Sequence, residues 1–502
     1  MFTELRLANF QGFGDLEKIR LAPLTLIFGP NSSGKSSIIR SLLLLKQSMR
    51  SRTSDEGRFS FVDADADLGG FANVVHKHDI NAEIQIGLSM ERSSRIAPGL
   101  SKLDLFVPYG DTVNRIVLGG EVFTGNDKDA GEYVGTYEID FVQDESNPEV
   151  FKTGEGFILG PDALLAQLKK YQDQLVSRLD ADIDALSPYE HGEDGPYFWD
   201  DLEFINFVRR GLFVGVDGAR VAPSRNEVTA ELEEDRVRRK LQRLVDEMIS
   251  SPTRNLDSRM RRVVHLAGLR AIPSRVTSVG STENTLLADA SNIVAILSSD
   301  DKIMYLASKL LSRLTRDQYE LRLARINATT VEFLGSIGSL ALFDKRLETM
   351  TTFRDVGVGL SQVLPIITAL AQASIPPTRP RNGVPMQSGT SIATVLIEQP
   401  ELHLHPRMQG DLADVIIETS RAKNRIGPQV IMETHSENII LRVQRRVREG
   451  SIRAQDVSVI FVEKDPKNGQ SVANELVLDD NGEFLTAWPD SFAVMRLDEI
   501  LP

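Results

Sequence analysis

The sequence predicts an α/β fold with an antiparallel β subdomain and a helical insertion, and three observations carry that prediction. An apolar run, Leu24-Thr25-Leu26-Ile27-Phe28, leads straight into a glycine-bounded loop and then into a helical stretch from Ser36 onward. Far downstream two more apolar runs end in chemistry-bearing residues: Ala393 to Ile397 runs into Glu398-Gln399-Pro400-Glu401, and Gln429 to Met432 into Glu433-Thr434-His435-Ser436. Between 100 and 158, short alternating runs such as Tyr133 to Phe141 are separated by Gly, Asn and Asp, the pattern of antiparallel strands and turns.

In chain order, Phe2 to Phe10 alternates like a strand, and Ile80 to Leu88 does so more clearly. Between them lies Gly29-Pro30-Asn31-Ser32-Ser33-Gly34-Lys35-Ser36-Ser37, spaced as Gly, four residues, then Gly-Lys-Ser. The glycines let backbone N–H groups curl around a β-phosphate, Lys35 reaches β/γ oxygens, and the Ser36 hydroxyl can ligate Mg²⁺. The helix that follows turns its positive N-terminal end to the same anion. Chance supplies on the order of 0.02 such matches in a chain of this length, so a nucleoside triphosphate is placed at the centre of the function.

The character changes near 162, where Leu164, Leu168, Tyr171, Leu175, Leu179, Ile183 and Leu186 recur every three or four residues as one amphipathic helix that stops at Pro188. A Gly/Asp/Glu-rich loop spans 190–196, and helical patterns resume over 226–250 and 300–315. No heptad run exceeds roughly three repeats, too short for the long coiled-coil arm of a chromosome-structuring ATPase. The stretch Ile375 to Thr390, rich in Pro, Gly, Ser and basic residues, reads as a linker looping out before a buried strand.

An acid at the end of a buried strand is what a Mg-nucleotide site needs opposite its phosphate loop, since it holds the metal, commonly through water. Glu398 and its neighbours occupy such a position, and about 30 residues later a second buried strand is tipped by His435. His403 and His405 have spacing compatible with a metal pair, but packing and loop shaping suit them better. Upstream, Gly357, Gly359, Ser361 and Gln362 open an apolar helix, a second anion-ready N-terminus.

Composition bounds what this machinery serves. A length of 502 residues suggests two or three lobes. There is no apolar run of 18 residues, and the N-terminus lacks the layout of a signal peptide. Zero cysteines exclude disulfides, thiolate metal sites and thiol catalysis, and fit a cytoplasmic protein. A net charge of −14, from 57 basic and 71 acidic side chains, argues against nucleic acid covering most of the surface. Local basic runs remain: Arg236, Arg238, Arg239, Lys240 and Arg243; Arg254, Arg259, Arg261 and Arg262; and Arg442, Arg445, Arg446, Arg448 and Arg453. Their helical spacing beside acids reads as solvated helix faces.

The chain resembles the ABC-type ATPases of the SMC, RecF and OLD-like group, which act in DNA repair and in defence against phage. The resemblance rests on Asn9-Phe10 with Gly12-Phe13, the Walker A loop at 29–37, the signature-like Gly357 to Gln362, the Walker B strand with Pro400-Glu401-Leu402-His403-Leu404-His405-Pro406, and Thr434-His435-Ser436. These blocks cover roughly 1–90 and 350–502, and the middle matches loosely through Leu269-Arg270-Ala271-Ile272-Pro273-Ser274-Arg275. Within the group the chain looks most like prokaryotic AAA-family ATPases ending in a short domain of uncharacterised function, here Phe461 through Trp488-Pro489. The implied division is 1–95 for the first part of a P-loop NTPase head, 96–160 for a β-rich subdomain, and 161–265 for the helical insertion. A connecting helical region, 266–350, leads to the second part of the head at 351–465 and a tail at 466–502.

What the resemblance implies is a Mg-dependent ATPase whose heads dimerise around nucleotide, Lys35 and Ser36 of one subunit facing Gly359 and Ser361 of the other across a shared ATP. By position Glu398 takes the place of the Walker B aspartate and metal ligand, and His435 that of the switch histidine. Gln47 and Gln85 are both candidates for the glutamine lid. One departure stands out: the group usually ends this strand with Asp-Glu, where this chain has Glu398-Gln399. An amide cannot take a proton from the attacking water, and general-base action is typically worth about 10² to 10⁴ in rate. Either Glu401 substitutes or hydrolysis is slow. Val459 to Glu463 imitates the first element of a TOPRIM nuclease, but the 39 residues after Glu463 hold no Asp-x-Asp behind a buried strand. The expectation is therefore a nucleotide-switched sensor or scaffold in phage defence that controls a separately encoded effector such as a nuclease. A DNA-binding repair ATPase is the alternative. A transporter's ATPase subunit is disfavoured by the long interval from Glu91 to Met350 and by the missing Leu-Ser-Gly-Gly-Gln.

Overall fold

The computed structural model describes residues 1–50, 59–63, 66–92, 99–110, 112–124, 132–144, 147–153, 255–274, 277–279, 286–326, 336–376, 392–420 and 427–486. The helix expected over 164–186, the pattern at 226–250, most of the linker, the basic residues from Arg236 to Arg254, and Trp488-Pro489 lie outside these.

The continuous apolar runs of the sequence become a six-stranded sheet, because a strand buried on both faces has no polar side to alternate with. Its members are β3 (Leu24–Phe28), β9 (Val263–Leu266), β14 (Thr394–Glu398), β15 (Gln429–Glu433), β16 (Val457–Lys464) and β17 (Ser471–Glu475), in the order β17-β16-β3-β15-β14-β9. All neighbours are parallel except the β16–β17 hairpin. The strand carrying the phosphate loop is thus separated from the acid-tipped β14 by the His-tipped β15.

Period-two alternation sorts the strand residues between two cores. Ile27, Leu396, Ile431 and Ile460 face a core built with α1 (Lys35–Arg50) and the N-terminal strands. Leu26, Ile397, Met432 and Phe461 face the other, formed with α2 (Ile293–Ser299), α3 (Asp301–Leu314), α4 (Val358–Ser374), α5 (Pro406–Thr419) and α6 (Glu437–Arg448). The helical pattern at 300–315 is thereby α3, begun by Asp300, whose carboxylate accepts from the Lys302 N–H at 2.7 Å.

The alternating N-terminal segments form a seven-stranded antiparallel sheet, ordered β2-β1-β4-β5-β6-β7-β8. It joins β1 (Phe2–Ala8), β2 (Glu17–Arg20) and β4 (Ile84–Arg92) to β5 (Gly99–Val107), β6 (Arg115–Thr124), β7 (Glu132–Asp144) and β8 (Asn147–Thr153). The β-rich segment after 96 therefore shares one sheet with the first part of the head. A third sheet assembles β10 (Thr277–Val279), β11 (Tyr319–Ile326) and β13 (Thr349–Thr352) around β12 (Ser336–Asp344). Among the described residues no helix is long and apolar enough to cross a membrane.

Val459 to Glu463, the imitation of a nuclease strand, is part of β16 and pairs in parallel with β3 in the central sheet. Residues beyond 466 also belong to that sheet: β17 pairs with β16, and Ser471 Oγ donates to the Ser33 carbonyl at 2.6 Å. The C-terminal hairpin thus braces the phosphate loop. The packing leaves no room for side chains, since a Cβ on Gly34 would lie 2.3 Å from Ser471 Oγ and one on Gly29 2.0 Å from the Val462 carbonyl.

Candidate nucleotide site

The loop after β3 has the backbone that its glycines permit. Gly29 (φ 144°), Ser32 (φ 60°) and Gly34 (φ 108°) lie in the left-handed region, bending the chain back before α1 begins at Lys35. This loop and the start of α1 form one wall of a cleft of about 630 Å³, lined by Asn31, Ser32, Gly34, Lys35, Ser36, Ser37 and Arg40. Gln11, Gly12, Asn73, Lys77, His78 and Lys464 line its outer parts, and Gln399, Glu433 and His435 close the floor. A helix N-terminus, an ammonium and a run of backbone N–H groups on one side of a polar cleft make a phosphate site.

Lys35 Nζ donates to the Pro30 carbonyl at 2.5 Å, folding over the loop it serves. Burial holds its pKa below the ordinary lysine value, with Glu433 pulling the other way. Ser36 Oγ donates to Glu433 Oε2 at 2.8 Å. Burial raises the Glu433 carboxyl and outweighs the Ser36 hydrogen bond and the charge of Lys35. His435 stands at the tip of β15 with part of its surface in solvent, where partial desolvation of the ring and the Lys35 charge lower its pKa against the pull of Glu401. That shift favours the neutral ring, which offers one donor and one acceptor to a phosphate or water.

Glu398 is placed differently. Its Oε1 lies 3.0 Å from Nε2 of His265 on β9, and its carbonyl accepts from Arg270. Burial favours the neutral acid, but His265, Arg40 and Arg270 together keep its pKa below the usual carboxylate value. Gln399 has φ 45°, donates its N–H to the Glu433 carbonyl at 2.8 Å, and turns to the cleft. Glu401 does not line the cleft. Its two oxygens accept from Thr434 Oγ1 and the His435 N–H, each at 2.7 Å, so it anchors the switch segment.

The signature-like helix splits by position. Gly357 and Val358 are exposed, whereas Ser361 is fully buried and donates to the Phe353 carbonyl at 2.8 Å. Gln362 is buried and donates to the Arg270 carbonyl at 3.0 Å. A Cβ on Gly359 would lie 2.9 Å from the His403 carbonyl, so this glycine lets α4 approach the loop after β14. None of these five lines the cleft of its own subunit. His405 caps α5 by accepting from the Arg407 N–H at 3.3 Å, and His403 is an exposed left-handed residue with φ 62°. Gln47 is buried and donates to the Ser60 carbonyl, Gln85 donates to Asp104 at 3.4 Å, and neither reaches the cleft.

Sequence reasoning assigned no role to Glu433, Arg270, His265 or Lys464. Glu433 was visible as the acid two residues before His435, but its rank as the carboxylate nearest Ser36 depends on the strand order. Arg270 stood in the loosely matching Leu269 to Arg275 block. It is buried, with its pKa pushed down to about 10 by that burial against the pull of Glu401 and Glu398. It donates to the carbonyls of Glu398, Gln399 and Gln362, tying β14 to α4.

The residues fit a magnesium nucleotide. The oxygens on offer, the Ser36 hydroxyl and the Glu433 carboxylate, are hard ligands, and among the described residues no group of three His, Cys, Asp or Glu could cage a metal alone. Mg²⁺ is ordinarily held in this way, by one or two protein oxygens together with phosphates and water. Comparison with known proteins agrees on the class. A family model described as "AAA domain" matches residues 4–214, and one described as "AAA ATPase domain" matches residues 295–440. No curated protein matches. Among solved structures, an Smc head bound to the C-terminal winged-helix domain of ScpA is 13% identical at TM-score 0.41, covering 95% of this chain and 98% of that one. The SMC head domain of Thermotoga maritima is 11% identical at TM-score 0.36, with 94% and 98% covered. Likenesses at these scores carry no argument. The phosphate loop, the strand order and the two family matches, each over less than half of the chain, agree on an ATPase with a P-loop NTPase fold.

Proposed function

We propose that this ATPase is a slow, magnesium-dependent nucleotide switch, which dimerises or assembles further around shared ATP and controls a separate effector such as a nuclease in defence against phage. The observation that supports slow turnover is the pairing of Gln399 and Glu401. The residue turned to the cleft after β14 carries an amide, and the nearby carboxylate has both oxygens committed to Thr434 and His435. Bound Mg²⁺ would offset phosphate charge, and Lys35, Ser36 and the loop N–H groups would orient the triphosphate. In the shared-site arrangement the exposed Gly357 and Val358 at the start of α4 are the parts free to meet a partner's nucleotide. Buried Ser361 would act by shaping that helix end.

The repair alternative places its phosphate contacts on the arm carrying Arg236 to Arg262, much of which lies outside the described residues, and the C-terminal basic run adds little to it. Arg442 and Arg446 pair with Asp414, Arg445 with Glu449, and Arg453 with Asp456. A guanidinium already neutralised by a neighbouring carboxylate is a weaker phosphate ligand.

The test is steady-state hydrolysis beside sedimentation with ATP, ADP and no nucleotide. The expected result is an ATP-dependent dimer with turnover below about 1 s⁻¹, under the median for enzymes. Several ATP per second, abolished by Glu401→Gln and insensitive to change at Gln399, would remove the slow-switch reading. Pull-down of the tagged protein with and without ATP tests for the effector, and its absence in both states counts against the scaffold. A DNA affinity falling steeply with salt would move the function to repair.

A further inference from the structure

The tips of β15 and β16 flank the phosphate loop from opposite sides, because β3 lies between those two strands in the sheet. On the β15 side, Glu433 and His435 close the cleft floor next to Ser36. On the β16 side the cleft is lined by Lys464, the last residue of that strand. Lys464 is the antiparallel register partner of Ser471 on β17, so both side chains stand on one face of the hairpin. Its Nζ donates to Ser471 Oγ at 3.0 Å, and that hydroxyl in turn donates to the Ser33 carbonyl of the phosphate loop at 2.6 Å. The Ser471 N–H donates to the Gly12 carbonyl at 2.8 Å, and a Cβ on Gly12 would lie 3.2 Å from Lys464 Nζ. The ammonium is thereby held against the loop. The acids on either side of it in sequence are turned to other donors: Glu463 accepts from Asn474 Nδ2 at 3.1 Å, and Asp465 from the Lys467 N–H at 2.8 Å. Lys464 is exposed, and among the described residues the one partner of its ammonium is a neutral hydroxyl. An ammonium carries three N–H donors, so two remain for the contents of the cleft. The C-terminal arginines differ, since Asp414, Glu449 and Asp456 already meet their charge.

We propose that Lys464 is a second ammonium for the nucleotide's phosphates, supplied by the C-terminal hairpin from the side of the loop opposite Lys35's helix partner Glu433. Because it stands across the loop from His435, the residue placed to sense the γ-phosphate, Lys464 grips ATP and ADP alike. This rests on the nucleotide reading of the cleft, which the experiment tests separately. Equilibrium affinities for ATP and for ADP are measured by displacement of a fluorescent ATP analogue from the wild type, Lys35→Ala, Lys464→Met and Lys464→Arg, beside the urea midpoint of each. Lys464→Met keeps the length of the side chain and removes its charge. It is expected to weaken ATP and ADP equally, each by about tenfold or more, the scale of a hydrogen bond to a charged group. Its urea midpoint should match the wild type, and Lys464→Arg should recover most of the affinity for both nucleotides. The proposal is overturned if Lys464→Met keeps both affinities while Lys35→Ala abolishes binding. Equal losses in Lys464→Met and Lys464→Arg with a lowered midpoint would overturn it too, by making the residue a brace of the hairpin. A loss confined to ATP would place the ammonium at the γ-phosphate and overturn the assignment to the far side of the loop. If Lys35→Ala binds like the wild type, the nucleotide reading itself fails and takes this assignment with it.

Discussion

The tips of β14 and β15 look alike in sequence, each an apolar run ending in a glutamate, yet they are engaged in opposite directions. At β14 every carboxylate is committed to protein: Glu398 to His265, Glu401 to Thr434 and His435, with Arg270 holding the backbone between them. At β15, Glu433 faces Ser36 and His435 faces the cleft. An acid beside a phosphate site is thus no guide to its task until its partners are known. A carboxylate surrounded by donors is a fastener, and one kept in a partly desolvated cleft beside a lone hydroxyl is available to a ligand.

The contrast is broken most directly at Gln399, the one cleft-facing side chain that β14 supplies. Gln399→Glu places a carboxylate where an attacking water can give up its proton. Single-turnover hydrolysis is expected to rise by about 10², the lower end of general-base contributions. An unchanged rate would mean that the base already exists elsewhere, and the division between the two tips would have to be redrawn.

Removing the fastener should cost stability. Arg270→Met leaves the carbonyls of Glu398, Gln399 and Gln362 without the buried guanidinium and removes one of the cations that favour ionised Glu398. Leaving buried acceptors unsatisfied in this way costs about 1–3 kcal/mol, to be read as a lower urea midpoint of the head. Glu401→Gln should cost less, about 1–2 kcal/mol, because a glutamine oxygen can replace only one of two accepted hydrogen bonds. A general base at Glu401 would instead show a collapse of turnover with little loss of stability.

Much of this was legible from residue order alone. The phosphate loop is local, since Gly29 to Ser37 dictates both its backbone and its chemistry, and the apolar strands announced a sheet covered on both faces. Strand order was not legible. That β15 inserts between β3 and β14 follows from long-range packing, and it alone decides which glutamate lies nearest Ser36. The same limit applies to Ser361, which sits in a phosphate-helix motif but turns inward to Phe353, and to Ser471, whose bracing of the loop joins residues more than 400 positions apart.

The smallest expected effect is also the most discriminating, because it has opposite signs at the two tips. Without nucleotide or metal, Glu398 is held below and Glu433 above the ordinary carboxylate pKa. A lowered folded pKa means that the ionised Glu398 stabilises the fold above about pH 4.5, and that this contribution is lost as pH falls through its folded value. A raised folded pKa means that Glu433 favours the fold while protonated and loses that contribution as pH rises through its folded value. At pH 7.5 Glu398→Gln should therefore lower the urea midpoint and Glu433→Gln should raise it, each by about 1 kcal/mol, the scale of one hydrogen bond. As pH falls through each folded value the corresponding difference should shrink, at Glu433 first and at Glu398 only at lower pH, because each wild-type carboxylate then approaches the neutral state that glutamine imitates. Equal signs at pH 7.5 would show that both tips are fasteners. Opposite signs at pH 7.5 that vanish in acid, that of Glu433 before that of Glu398, would tie the contrast to charge rather than to shape.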